Sequence, residues 1–185
     1  MKTTIIGVDG LGGSGKTTFS KRLQQTFERA YLFHLDDFIH PRKIRYDEKY
    51  EEWEAYYHAQ WRYDYLLQTL IRPLFDGEPI DQIIQFYHKE TDTYDLKRIQ
   101  IPVGSTVILE GVFLQRDTLR SYFSHVYYID VNKETRLARV LDRDGYIGDK
   151  AAILAKYENR YFPAEEQYVK EYNPIKLAHT VITHS

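Results

Sequence analysis

Eight residues, Gly10-Leu-Gly-Gly-Ser-Gly15-Lys16-Thr17, stand between an apolar run and a stretch of good helix formers. Glycines at this spacing let the backbone wrap an anion with its N–H groups, and a helix starting near Lys16 aims its positive end at the same point. Lys16 can then reach terminal phosphates, and the Thr17 hydroxyl suits Mg²⁺. The expected contacts to a nucleotide are Gly10, Gly12, Gly13, Ser14, Gly15, Lys16, Thr17 and Thr18.

A phosphate loop alone serves motors, switches, transporters and kinases, so other charged residues must choose among them. A GTPase would carry Asn-Lys-x-Asp, whereas Asn132-Lys-Glu-Thr135 lacks the aspartate and precedes Asp142-Arg-Asp-Gly145. A motor ATPase would end an apolar strand in Asp or Asp-Glu, and this chain offers Val107-Ile-Leu-Glu110-Gly111. His34-Leu-Asp36-Asp37-Phe38 places two carboxylates behind a second apolar run, where an acceptor hydroxyl could lose its proton. Alternation along a strand end turns consecutive side chains to opposite sides, so one of the two faces the phosphates; Asp36 is taken as the base. Arg136, Arg139 and Arg143 recur at helical spacing, suited to neutralising a transferred phosphoryl group, with Gly145 and Gly148 as hinges of a closing segment. The same arginines also suit a solvated face paired with Glu134 and Asp142.

The elements that must hold these groups alternate strand-length apolar runs with helical patterns, which predicts an α/β chain with a parallel sheet. Expected strands are 3–8, 31–35, 106–109, 126–131 and 179–182, with 83–87 as an extra strand or hairpin. Expected helices cover 16–28, 48–75, 134–142 and 150–170, the last broken or restarted at Pro163. Tyr56, Tyr57, Tyr63 and Tyr65 read as a packing stripe on the second of these.

A length of 185 residues with 43% hydrophobic content suits one domain over 1–185. No cysteine is present, which excludes disulfides and thiolate metal sites, and seven histidines show no ligand spacing for zinc. The opening residues lack a signal-peptide pattern and no apolar run reaches spanning length, so a cytoplasmic protein without a membrane role is expected. A net charge of −2 argues against a nucleic-acid polymer and for a small-molecule partner, with self-association left open.

Taken in order, the glycine-rich loop, Asp36-Asp37-Phe38, Phe86-Tyr87, Glu110-Gly111, Thr135-Arg-Leu-Ala-Arg139 with Arg143-Asp144, and Tyr161-Phe-Pro163 leading to Ala178-His-Thr-Val-Ile182 resemble the uridine kinase and phosphoribulokinase group of P-loop kinases over nearly the full length. The resemblance implies a P-loop NTPase α/β/α sandwich with a five-stranded parallel sheet of order 2-3-1-4-5, an added hairpin and a helical lid at about 143–150. It implies ATP and Mg²⁺ as cofactors and transfer of the γ-phosphoryl group to a hydroxyl of a small metabolite. A nucleoside such as uridine is the leading acceptor. A vitamin-like or sugar acceptor, or a catalytically silent nucleotide-binding regulator, is the alternative. Lys16, Asp36, Arg139 and Arg143 would be catalytic. Thr17, Asp36 and Glu110 would hold the metal, and Asp36, Phe38, Tyr87 and Arg136 would meet the acceptor. The chain departs from uridine kinases at Ile39, where tyrosine is usual, and in Trp53-Glu-Ala-Tyr-Tyr-His-Ala-Gln-Trp61, which lacks the ribose-binding aspartate. The place of the pyrimidine-reading histidine falls near Asp92, with His88 several positions away.

Overall fold

Apolar side chains occupy successive positions of the first strand, so both of its faces must be covered. In the structure, a computed structural model describing residues 3–184, they are. The elements run β1 (Thr4–Gly10), α1 (Lys16–Gln24), β2 (Ala30–His34), a 3₁₀ turn (Leu35–Phe38), α2 (Arg42–Arg45), α3 (Glu52–Ala59), α4 (Tyr63–Leu66), a π turn (Leu67–Ile71) and α5 (Arg72–Asp76). They continue with β3 (Ile80–His88), β4 (Thr93–Ile101), β5 (Thr106–Gly111), α6 (Asp117–Arg120), β6 (His125–Val131), α7 (Lys133–Arg143), α8 (Lys150–Lys156), a second π turn (Tyr157–Tyr161), α9 (Phe162–Tyr172), α10 (Pro174–Leu177) and β7 (Thr180–His184).

The main sheet is β2-β5-β1-β6-β7, parallel throughout, which is 2-3-1-4-5 when its own strands are counted. Ile5, Phe33, Val107 and Leu109 point to one face and pack with Leu66, Leu70, Leu74 and Tyr168 from the helices. Ile6, Val8, Ile108 and Ile129 point to the other, against Phe19, Leu23 and Phe27. This alternation makes the three layers. Under the segment expected to act as a lid, Val140, Ile153, Tyr157 and Phe162 form a separate cluster.

The extra strand expected at 83–87 is the middle of β3, which pairs antiparallel with β4 along nine positions. The hairpin buries Ile84 and Phe86 against the main core and leaves Ile83 and Leu96 outside.

The single helix expected over 48–75 is corrected. The chain leaves α3 at Gln60, where Trp61 forms an antiparallel bridge with Ile39. His40 N donates to Gln60 O and Arg62 N to Phe38 O, at 2.9 and 2.8 Å, so the backbone trades helical bonds for bonds to a distant segment. Helix resumes as α4 and widens into a π turn just ahead of Pro73. Proline has no N–H to give the carbonyl four residues back, and its ring crowds that carbonyl; the wide turn relieves both. The carbonyl concerned, Thr69 O, accepts instead from the Gln82 amide, tying the hairpin to the helix. Pro163 follows the second π turn in the same relation, so the expected break in 150–170 takes this form, and helix continues to Tyr172.

Candidate active site

The register of the parallel sheet decides what meets at its edge. Asp9 lies beside Gly111, Val8 beside Glu110, and His34 beside Glu110, so the ends of β1, β2 and β5 open onto one cleft of about 670 Å³. At its floor lie Gly12, Lys16, Thr17, Asp36, Asp37 and Glu110.

Gly13 has φ +78°, and a Cβ there would stand 2.7 Å from Arg136 O, so only glycine serves. Gly15, at φ +93°, turns the chain into α1. Lys16 Nζ donates to Leu11 O at 3.1 Å, curled over the loop. Burial pushes its ammonium down from the usual lysine range, opposed by Glu110, Asp9, Asp36 and Glu165.

Thr17 Oγ1 donates to Glu110 Oε1 at 3.1 Å, and His34 Nδ1 lies 2.6 Å from the same oxygen. Burial would raise the Glu110 carboxyl, but the His34 hydrogen bond and the Lys16 charge hold it below the usual range. That hydrogen bond in turn raises the His34 imidazole. A hydroxyl beside carboxylates is a hard-oxygen donor set, the kind that holds Mg²⁺ together with nucleotide phosphates. No cluster of three or more His, Cys, Asp or Glu able to cage a metal occurs among the described residues.

Asp36 is open to solvent yet lies deep in the cleft, and its Oδ1 accepts from Trp61 Nε1 at 3.3 Å. Desolvation and the Glu110 charge raise its carboxyl, partly offset by Trp61 and Lys16. A raised carboxylate is a stronger proton acceptor. The bridge that broke the expected helix thus places Trp61 against Asp36. Asp37 also lines the cleft, its carboxyl raised mainly by burial.

The other expected residues divide. Tyr87 lines the cleft, its hydroxyl accepting from Arg45 Nη2 at 2.8 Å and donating to Asp92 at 2.7 Å. Phe38 is fully buried on Phe86, with centroids 5.5 Å apart, and does not face the cleft. Arg136 is buried behind the loop. It donates to Gly12 O at 3.0 Å and Val131 O at 3.2 Å and pairs with Glu165 at 2.8 Å, so it is not brought to the acceptor side. Arg139 Nη1 reaches Gly13 O and Ser14 O at 3.2 and 3.3 Å. Arg143 lines the cleft and grips Asp144 at 2.6 Å, while Asp144 accepts from the Tyr157 hydroxyl at 2.7 Å. Gly10 and Ser14 complete the loop, and Thr18 lies exposed on α1. Of the four tyrosines expected to form a packing stripe, Tyr56 also lines the cleft, edge-on to Tyr161 at 4.9 Å.

Sequence reasoning missed Trp61, Glu165 and Asp9. Glu165 Oε1 takes the Gly12 N–H at 2.7 Å. Asp9 is wholly buried and accepts from Tyr168, Gln115, Gly10 N and Leu114 N, at 2.6, 3.1, 2.8 and 3.4 Å. Desolvation raises its carboxyl in spite of these four donors. Both carboxylates stiffen the loop from below. A signal for Asp9 existed, an acid in an otherwise apolar strand; Trp61 and Glu165 carried none locally.

No helix is long and apolar enough to cross a membrane among the described residues. Residues 5–184 match the sequence profile of the Phosphoribulokinase / Uridine kinase family. The uridine kinase of Staphylococcus epidermidis is 27% identical over 173 residues, 91% of this chain and 83% of that protein. That of Geobacillus kaustophilus is 28% identical over 177 residues, 91% and 81% of the two chains. A solved structure described as a possible uridine kinase from Bacillus stearothermophilus superposes with TM-score 0.80 at 32% identity, covering 98% of this chain and 89% of that one. D-glycerate 3-kinase from Cryptococcus neoformans, with TM-score 0.60 at 12% identity over 89% of this chain and 78% of that one, shares the fold. Loop, sheet order and sequence therefore agree: the chain is a P-loop small-molecule kinase and belongs to the Phosphoribulokinase / Uridine kinase family.

Proposed function

We propose that the protein transfers the γ-phosphoryl group of ATP to a hydroxyl of a small metabolite. The observation that carries this is Asp36, set in the same cleft as Lys16, Thr17 and Glu110 with a raised carboxyl and a Trp61 hydrogen bond holding it. Asp36 takes the acceptor proton, and Lys16 meets the β- and γ-phosphates once released from Leu11 O. Thr17 and Glu110, with Asp36, would hold Mg²⁺, whose charge offsets that of the phosphates when bound. Arg139 and Arg143 are the arginines available to the transferred group. The segment 143–150 serves as the lid, with Tyr146 and Ile147 facing the cleft.

A nucleoside is the acceptor class that the relatives' name favours. A sugar or vitamin-like acceptor is the second reading, favoured by Ile39, which is 7% exposed and offers no aromatic face. Acceptor-dependent ADP formation across nucleosides, sugars and vitamins, with mass detection of the product, tests both. ADP formation independent of every acceptor would remove the kinase reading of this chain's own site.

A further inference from the structure

Away from the phosphate loop, the cleft changes sign. Its carboxylates Asp36, Asp37, Glu110 and Glu165 lie toward the phosphate loop and Asp144 is held by Arg143 and Tyr157, whereas Arg42, Arg45, Lys89 and Lys156 line the rest. Arg45, only 7% exposed, donates through Nε to His40 O at 2.6 Å and through Nη2 to Tyr87 Oη at 2.8 Å. Arg160, 1% exposed, donates to Glu52 O, Arg45 O and Gln60 Oε1 at 3.0, 3.1 and 3.1 Å. All of these partners are neutral. Both cations converge with Lys156 on one ring: the Tyr46 centroid lies 4.1 Å from Arg160 Cζ, 5.4 Å from Arg45 Cζ and 5.7 Å from Lys156 Nζ.

None of these three cations makes a direct ion pair with a carboxylate among the described residues, whose ion pairs lie at His34, Arg98, Lys133, Arg136 and Arg143; Arg45 reaches the Asp92 carboxylate through the Tyr87 hydroxyl. A buried guanidinium without an anion is costly, and its planar fork matches carboxylate or phosphate. The local field is visible in Tyr46: burial would raise its hydroxyl, yet Arg160, Lys156 and Arg45 hold it below the ordinary range. Asp36, Tyr46, Arg45 and Lys156 line the same cleft.

We infer that Arg45, Lys156 and Tyr46, backed by Arg160, form an anion subsite, and that the acceptor carries a carboxylate or phosphate besides the hydroxyl presented to Asp36. Arg42 and Lys89 sit at the rim, Arg42 Nη2 donating to Lys89 O at 2.9 Å and Lys89 Nζ standing 3.3 Å from the Tyr146 ring centroid. A negative group there faces cations, while the hydroxyl end meets the carboxylates.

This inference rests on the kinase reading and, within it, favours the sugar or vitamin-like acceptor over a nucleoside, which carries no such anion; its test separates the inference from the kinase reading. Protein saturated with MgADP, so that the phosphate loop is filled, is titrated calorimetrically with glycerate against glycerol and with ribose 5-phosphate against ribose. The same four compounds are assayed for ADP formation from MgATP. At least one anionic compound should bind about tenfold or more tighter than its neutral partner, and the arm that responds tells carboxylate from phosphate. Lys156→Ala should weaken that binding about tenfold, Lys156→Arg should restore it, and MgADP affinity should hold in both. Anion binding that depends on Lys156 without turnover would keep the subsite and remove the kinase reading. Absence of anion binding to the MgADP form, binding unchanged in both Lys156→Ala and Arg45→Lys, or turnover of a neutral compound at kcat/KM equal to its anionic partner would overturn the inference.

Discussion

His34 Nδ1 lies 2.6 Å from Glu110 Oε1, and Thr17 Oγ1 shares that oxygen at 3.1 Å, so one carboxylate joins β2, β5 and the first turn of α1. Parallel register sets His34 beside Glu110 once β2 and β5 pair, which brings the two side chains within reach.

The pair should stabilise the fold in a defined pH window. His34 is raised above its ordinary 6.5, so its contribution is present below that value and fades as pH climbs through the raised one. Glu110 is lowered below its ordinary 4.5, so its contribution is present above that value and fades as pH falls through the lowered one. His34 is one-third exposed, and screening limits the gain to about 0.5–1 kcal/mol. Urea denaturation of wild type and His34→Gln should differ most at mildly acidic pH and converge in alkali. A constant difference across pH would contradict the coupling.

Lys16→Ala removes the ammonium that reaches the phosphates. Turnover should fall by about 10² or more with unchanged circular dichroism, because Lys16 bonds only a loop carbonyl in this structure. A folded, fully active variant would refute the assignment.

Asp9 is a buried carboxylate with four donors, Tyr168 the shortest at 2.6 Å. Tyr168→Phe leaves the ring in place and deletes that donor, and should cost about 1–3 kcal/mol in thermal or chemical unfolding. Its raised carboxyl makes protonation the relief route, so the loss should shrink at low pH. A neutral substitution at pH 7 would show that the network does not brace the loop.

The phosphate loop, the strands and their order follow from local patterns, since Gly10 to Thr17 and the apolar runs each carry their own signal. Trp61 does not: nothing in a helical stretch of tyrosines announces that residue 61 will pair with Ile39 and hold Asp36. Arg136 shows the opposite failure. Its helical spacing with Arg139 and Arg143 is real, but α7 packs that position onto Glu165 and Gly12 O, a choice made by tertiary contact. The second π turn was half legible, because Pro163 announces a disturbance without saying whether the helix ends or widens, whereas the one ahead of Pro73 lies inside a stretch expected to be unbroken helix.

Trp61→Phe should leave the aromatic packing on Phe113 and Tyr56 in place and remove the Nε1–H to Asp36. That hydrogen bond lowers the Asp36 carboxyl, so its loss raises it further. The acid limb of kcat/KM should move to higher pH and kcat fall several-fold, with little change in stability. An unmoved limb would show that Trp61 only fills space.

The last test separates the two carboxylates after β2. Asp36→Asn keeps an oxygen to accept from Trp61 but cannot take a proton, so kcat should fall on the order of 10²-fold or more while nucleotide affinity changes far less. The acid limb that Asp36 sets in wild type, displaced upward by desolvation within the cleft and by Glu110, should vanish from the residual activity. Asp37 lines the same cleft, but its largest charged influence is His34, on the side of Glu110. Asp37→Asn should therefore act through the order of the His34 and Glu110 pair, lowering turnover less and leaving the acid limb where it was. Full activity in Asp36→Asn with an inactive Asp37→Asn would move the base to Asp37, and the acceptor hydroxyl with it.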